Sequence, residues 1–255
     1  MKGYHDRVWL QDQYIVQGKT IRQIAGEASR STGTIHKYLK RFDIPTRVRG
    51  KRGNHTEITE ALLEYLDGTL LGDGHLSGYW AVSSLYSLTQ KHLSYIHYVR
   101  DKLIHLGLDS GDNISKRIHR CRNGEYTASY SYATRSYREL REVRNRWYPN
   151  DKKRVPKDVR LTPLSVRTWF LEDGSLERRA NHTYGGRIIL YTCAFTQNLH
   201  ILVDGLKDIL DTDAIHVHTH DNTIAFGRRE VIKRFFDFIL PLPKELGFDY
   251  GYKYL

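Results

Sequence analysis

Cysteine is nearly missing from this chain. Cys121 and Cys193 are the only two in 255 residues, far from any C-x-x-C spacing. Neither a disulfide framework nor a cysteine-built zinc site is expected, and a reducing cytoplasm is the expected setting. Long apolar runs are missing as well. No stretch approaches the roughly 18 residues needed to span a bilayer, and the opening M-K-G-Y-H-D-R-V-W-L has no signal-peptide core, so neither membrane insertion nor secretion is expected. Acidic residues are scarce at the start: residues 1 to 56 hold 12 Lys and Arg against 4 Asp and Glu, a balance of +8, leaving +3 of the total +11 for the rest. A basic N-terminal module ahead of a nearly neutral body points to a polyanionic partner, nucleic acid first, with a solvated basic arm as the alternative.

Residues 1 to 44 predict a small helical domain. An apolar helix around Trp9, Leu10, Tyr14 and Ile15 breaks at Gly18, and Thr20 can cap a second helix through Ile21, Ile24 and Ala25. After a turn near Ser29 to Ser31, a third helix carries Ile35, Tyr38, Leu39 and Phe42 on one face. This is the layout of a helix-turn-helix. Away from its apolar stripe the third helix offers Ser31, Thr32, Thr34, His36, Lys37, Lys40 and Arg41, residue types that reach base edges and phosphates. Residues 45 to 56 read as a basic linker. Arg47, Arg49, Lys51 and Arg52 in it suit an arm along phosphates or in a minor groove, and equally a flexible tether.

From residue 57 the chain runs through one plan twice, over 57 to 150 and 151 to 255. Each pass predicts αββαββα, an α+β fold of two related units with antiparallel sheets. The first hairpin turns at Asn123-Gly124 and the second at Asp221-Asn222. Each pass opens with an apolar helix-like run that stops on Asp-Gly: L-D-G-T-L-L-G-D-G at 66 to 74 and V-R-T-W-F-L-E-D-G at 166 to 174. A carboxylate there opposes the negative end of the helix dipole and makes sense beside a cation. Gly68 and Gly72, four apart on one face, let a second helix approach closely. Two carboxylates about 4 Å apart repel by roughly 4 kcal/mol at an effective dielectric of 20, and a divalent metal turns that repulsion into a site. Asp73 and Asp173 are the expected ligands, with the backbone carbonyls of Gly72 and Glu172. The Glu172 side chain, one residue before Asp173, is rotated by about 100° and is expected to point away from the shared site.

These residues carry a family resemblance. The run at 66 to 74 resembles the LAGLIDADG motif of homing endonucleases at Leu66, Gly68, Asp73 and Gly74, with Leu70 in place of Ile. The run at 166 to 174 is similar to the divergent copy of the single-chain members; it keeps Asp173 and Gly174 and departs at Thr168 and Glu172. The resemblance implies a pseudo-two-fold pair of units with saddle-shaped sheets over DNA. It further implies a monomeric endonuclease with Mg²⁺ or another divalent cation such as Mn²⁺, and a staggered double-strand cut in a long target, as in intron homing. Gln90 and Gln197 match family residues that order water near the metals, and Lys153 matches a Lys-x-x-Pro segment that supports the transition-state charge.

The hairpins supply the expected DNA surface. In the first, Tyr126, Tyr130 and Tyr132 share one face while Thr127, Ser129 and Ser131 share the other; in the second, His216, His218 and His220 oppose Ile215 and Val217. Lys116, Arg117, Arg120, Arg122 and Arg187 add phosphate or guanine contacts, although the first strand lacks the alternation that would say which of its cations face DNA. The alternate His run also has the spacing of zinc ligands, but no acidic or Cys ligand completes a set. The rival reading is a transcription regulator or an RNA-splicing maturase acting on an intron, both non-cleaving on the same fold. An intein is not expected, since the ends lack the usual nucleophile and terminal Asn.

Overall fold

The computed structural model describes residues 3–46, 54–78, 82–108, 114–121, 124–178, 186–192, 194–195 and 197–254. Arg47, Arg49, Lys51, Arg52, Arg122 and Asn123 therefore lie outside the described residues. The chain divides into two compact units, Met1–Arg52 and Gly53–Leu255, and no described helix is long and apolar enough to cross a membrane.

The first unit is all-helical. Asp6 caps α1 (Arg7–Gln11), which continues as a π-helical turn, Asp12–Val16. Gly18, at φ +68°, turns the chain as expected. Thr20 then caps α2 (Ile21–Glu27) in a reciprocal box with Gln23. Ser29 at φ +48° makes the next turn, and Ser31 caps α3 (Thr32–Arg41) by accepting the Thr34 amide at 3.1 Å. Leu10, Tyr14, Ile24, Ile35 and Leu39 meet in a small core. Ile15, expected inside, is 44% exposed because the π-helical turn shifts the apolar register.

The second unit follows αββαββα twice. The first pass is α4 (Glu60–Leu71), β1 (His75–Leu76), β2 (Tyr86–Gln90), α5 (Leu93–His105), β3 (Ile114–Arg120), β4 (Tyr126–Ala133) and α6 (Leu140–Trp147). The second is α7 (Pro163–Asp173), β5 (Gly174–Arg178), β6 (Gly186–Tyr191), α8 (Leu199–Leu210), β7 (His216–His218), β8 (Thr223–Phe226) and α9 (Arg229–Phe238), followed by a short α10 (Gly247–Tyr250). Each pass builds a four-stranded antiparallel sheet, in the orders β1-β2-β4-β3 and β5-β6-β8-β7. One apolar core runs through both passes, from Leu62 and Leu66 to Phe226 and Phe235. One strand is shorter than the alternating pattern suggests: β7 covers only His216–His218 of the run from Ile215 to His220.

The helices α4 and α7 are buried nearly all round, as seam helices at the centre of a core must be. Gly68 permits their approach: a Cβ there would stand 2.7 Å from the Ser165 carbonyl oxygen and 2.9 Å from Thr168 Cβ. Asp67, buried in the same helix, is neutralised by Arg146 and accepts the Trp147 indole N–H at 2.8 Å. The polar residue inside the motif thus ties α4 to α6.

Candidate active site and nucleic-acid face

The two motif acids meet at the C-terminal ends of α4 and α7, but the ends differ. Helix α7 runs through Asp173. Helix α4 stops at Leu71, where Gly72 leaves helical geometry at φ −100°, ψ −133°, so Asp73 lies beyond the helix rather than at its last residue. The Gln90 side-chain amide, at the end of β2, donates to Asp73 Oδ2. Burial, then the negative charge of Asp173, pushes the Asp73 carboxyl up to about 7, against the pull of Lys153, Lys253 and Gln90. The residue is nevertheless exposed to solvent, which screens part of this rise. Burial likewise raises Asp173, opposed by the same lysines.

Each acid has a lysine behind it. Lys153 Nζ donates to the carbonyls of Gly72 at 3.2 Å and Gly74 at 3.1 Å, covering the end of α4. Lys253 Nζ donates to the carbonyls of Phe170 at 3.2 Å and Leu171 at 2.6 Å, covering the end of α7. Burial lowers both to about 8, while Glu172 and the two aspartates favour their charged forms. Lys253 stands at the site beside these acids and was missed by motif reading. A signal for it existed: it stands eighty residues after Asp173, as Lys153 does after Asp73.

Glu172 corrects a further expectation. Its side chain does not turn away; it crosses the seam, 8% exposed, and accepts the Asp73 backbone N–H on Oε2 at 2.8 Å. Its Oε1 accepts from Thr69 Oγ1 at 2.7 Å and Tyr95 OH at 2.9 Å. Burial, then the Asp73 charge, pushes this carboxyl to about 8. The expectation failed because the 100° rotation was counted between residues of one helix, whereas the target of Glu172 lies in the opposite half. Gln197 does not take the place that Gln90 has: β6 ends at Tyr191, and Gln197 is exposed in the segment leading to α8.

The acids fit a hard cation. Burial raises both carboxyls and the charge of Asp173 adds to the rise at Asp73, a strain that a cation relieves. Carboxylate oxygens are the donors that hard cations such as Mg²⁺ and Mn²⁺ prefer. No cluster of three or more His, Cys, Asp or Glu side chains that could hold a metal occurs among the described residues. His220 lies beyond β7, bonded to its neighbour Asp221 at 2.8 Å, and leaves the alternating face expected for it.

Strand register divides the residues between the sheet faces. In the first sheet Arg117 pairs with Ser129, His119 with Thr127, Ser115 with Ser131, and Ser131 with Thr89. This face carries hydroxyls, one guanidinium and the His119 imidazole, whose Nε2 lies 2.8 Å from Ser129 Oγ. Lys116 and Arg120 pair with Tyr130 and Tyr126 and lie on the opposite face, with Lys116 Nζ over the Tyr130 ring at 5.9 Å. In the second sheet His216 and His218 pair with Ala225 and Thr223. They share their face with Arg187, whose charge is met by Glu177 at 3.0 Å. In the first unit Ser31, Thr32, His36, Lys37, Lys40 and Arg41 are exposed and Thr34 is half-buried; Ser31 uses its hydroxyl in the cap.

A family model described as the LAGLIDADG DNA endonuclease family matches residues 63–233. An uncharacterized protein of Methanocaldococcus jannaschii is 28% identical over 200 residues, which cover 73% of this chain and 72% of the relative. A cytochrome b mRNA maturase of Debaryomyces hansenii is 28% identical over 123 residues, 46% of this chain and 47% of the maturase. Among solved structures, the homing endonuclease I-WcaI bound to its DNA recognition sequence superimposes with a TM-score of 0.65 at 17% identity, covering 76% of this chain and 87% of that one.

Proposed function

The chain belongs to the LAGLIDADG DNA endonuclease family, and from that premise we propose that it is a monomeric site-specific endonuclease making a staggered double-strand cut in a long DNA target. One observation carries the reading: Asp73 and Asp173 meet at the ends of two adjoining helices, each end backed by a lysine that donates to main-chain carbonyls. Asp73 and Asp173, with carbonyl oxygens of Gly72 and Glu172, would hold the cation. A divalent ion such as Mg²⁺ or Mn²⁺ supplies polarisation of the scissile phosphate and a lowered pKa for the attacking water. Gln90 fixes the rotation of Asp73. Lys153 and Lys253, lowered to about 8, are mostly charged at neutral pH and stabilise negative charge on the phosphate as it is attacked.

In this reading 57–150 and 151–255 are the two catalytic halves, and their polar sheet faces lie over the DNA grooves. The 1–44 unit is a helix-turn-helix whose third helix, α3, enters a groove with His36, Lys37, Lys40 and Arg41, joined by the basic 45–56 linker. The match to the maturase favours one alternative reading, an RNA-splicing role on the same fold. Selection of cut sites from a randomised plasmid pool in Mg²⁺, run with the full chain and with a chain starting at Asn54, separates these possibilities. The endonuclease reading expects a single long consensus. Loss of the first unit is expected to lower affinity and shorten that consensus; splicing of the encoding intron without any DNA cleavage would favour the maturase.

A further inference from the structure

The two motif acids are held by different means, and the difference lies in one pair of positions. At Asp173 the helix itself sets the acid, because α7 is helical through that residue. At Asp73 the helix has already ended, and the amide of Asp73 is taken instead by Glu172 Oε2 at 2.8 Å. We propose that Glu172 is a positioning residue for Asp73 and not for Asp173, so that the cuts in the two DNA strands depend on it unequally; the second clause rests on the endonuclease reading.

The arrangement is not reciprocal. The residue that corresponds to Glu172 in the first motif is Gly72, just past the end of α4, which has no side chain to send to Asp173. It also has no room for one: a Cβ on Gly72 would stand 2.6 Å from both Cβ and Oε2 of Glu172. The missing side chain of one half is the space for the carboxylate of the other. That carboxylate is fixed from three directions, since Oε1 accepts from Thr69 Oγ1 at 2.7 Å and Tyr95 OH at 2.9 Å while Oε2 holds Asp73. Tyr86 OH lies 2.7 Å from Thr69 Oγ1 and extends the network into the first sheet. Asp73 is therefore gripped twice, on its amide by Glu172 and on its carboxylate by Gln90. A buried acceptor held this firmly sets an amide within tenths of an ångström, the tolerance a cation site requires.

The test uses the full chain with Glu172→Met, which keeps the volume and removes the acceptor, and Glu172→Gln, which keeps one. Hydrogen exchange of the metal-free protein is expected to speed up at the Asp73 amide by about ten- to a hundredfold in Glu172→Met, to stay near wild type in Glu172→Gln, and to be unchanged around Asp173. With target DNA selected from the randomised pool and labelled separately on each strand, Glu172→Met is expected to slow one strand's cut by about the same factor and leave the other within roughly threefold. DNA affinity in EDTA should be unchanged and Glu172→Gln should restore both cuts. Equal slowing of both strands, or an unaltered Asp73 amide in Glu172→Met, overturns the proposal. A wild-type protein that cuts nothing in the pool contradicts the endonuclease reading alone, and the amide measurement still decides the positioning role.

Discussion

Gly68 faces the Ser165 backbone so closely that a single added methyl would stand 2.7 Å from its carbonyl oxygen. Neither backbone yields easily, since both positions lie in helices buried nearly all round. Gly68→Val is expected to destabilise the protein by about 3 kcal/mol or more, measured by urea denaturation. Gly26 in α2 is the contrast, with nothing within 4 Å of a built Cβ. Gly26→Ala should stabilise by about 0.5–1 kcal/mol. Equal effects of the two changes would contradict the account of the seam.

Asp73 makes the metal-free protein sensitive to pH in a defined direction. Its carboxyl is raised from 3.8 to about 7 in the folded state, so its contribution is fully present below about pH 4 and is lost as pH rises through 7. Because the side chain reaches solvent, the effect is discounted to about 1 kcal/mol, and Asp73→Asn should melt about 2–4 °C above wild type at pH 8. The gap should narrow at pH 5, and Mg²⁺ should stabilise the wild type more than the variant. Identical melting of the two at pH 8 without metal would contradict the burial of this charge.

Lys253 should matter as much as Lys153. Lys253→Met is expected to slow cleavage by about a hundredfold while leaving DNA affinity within a few-fold, as a residue acting on developing charge does. Rapid-quench cleavage and fluorescence binding assays check the two halves of that statement. Unchanged cleavage would reduce Lys253 to a helix cap.

The sheet faces divide the cations of β3. Arg117→Ala and His119→Ala should each cost about 1–3 kcal/mol in target binding and relax base preference at a few positions. Lys116→Ala and Arg120→Ala, on the opposite face, should leave base preference unchanged and alter only the salt dependence. Competition binding against singly substituted targets reads the difference, and a loss of base preference in Lys116→Ala would contradict the register argument.

Much of the fold is legible in the sequence, for local reasons. Thr20, Ser31 and Gly18 act within a turn of their own positions, and the paired motifs repeat at a fixed offset. The π-helical turn that exposes Ile15 is a local misreading; the misreadings at the site are tertiary. The direction of Glu172 depends on where α4 ends and on the space left by Gly72, not on the α7 sequence. Lys253 carries no motif and lies far along the chain from Asp173; only the offset it shares with Lys153 marks it. The faces of β3 could not be assigned because nearly the whole strand is exposed, so no apolar alternation separates Lys116 from Arg117; pairing with β4 does.

The most direct test is strand cleavage of the selected target in Mg²⁺ by the wild type and by the Asp73→Asn, Asp173→Asn double variant, with binding measured in parallel. The wild type is expected to convert plasmid to linear product, and the double variant to bind the same site with similar affinity and leave it intact. Undiminished cutting by the double variant would contradict the claim that these two acids form the catalytic site.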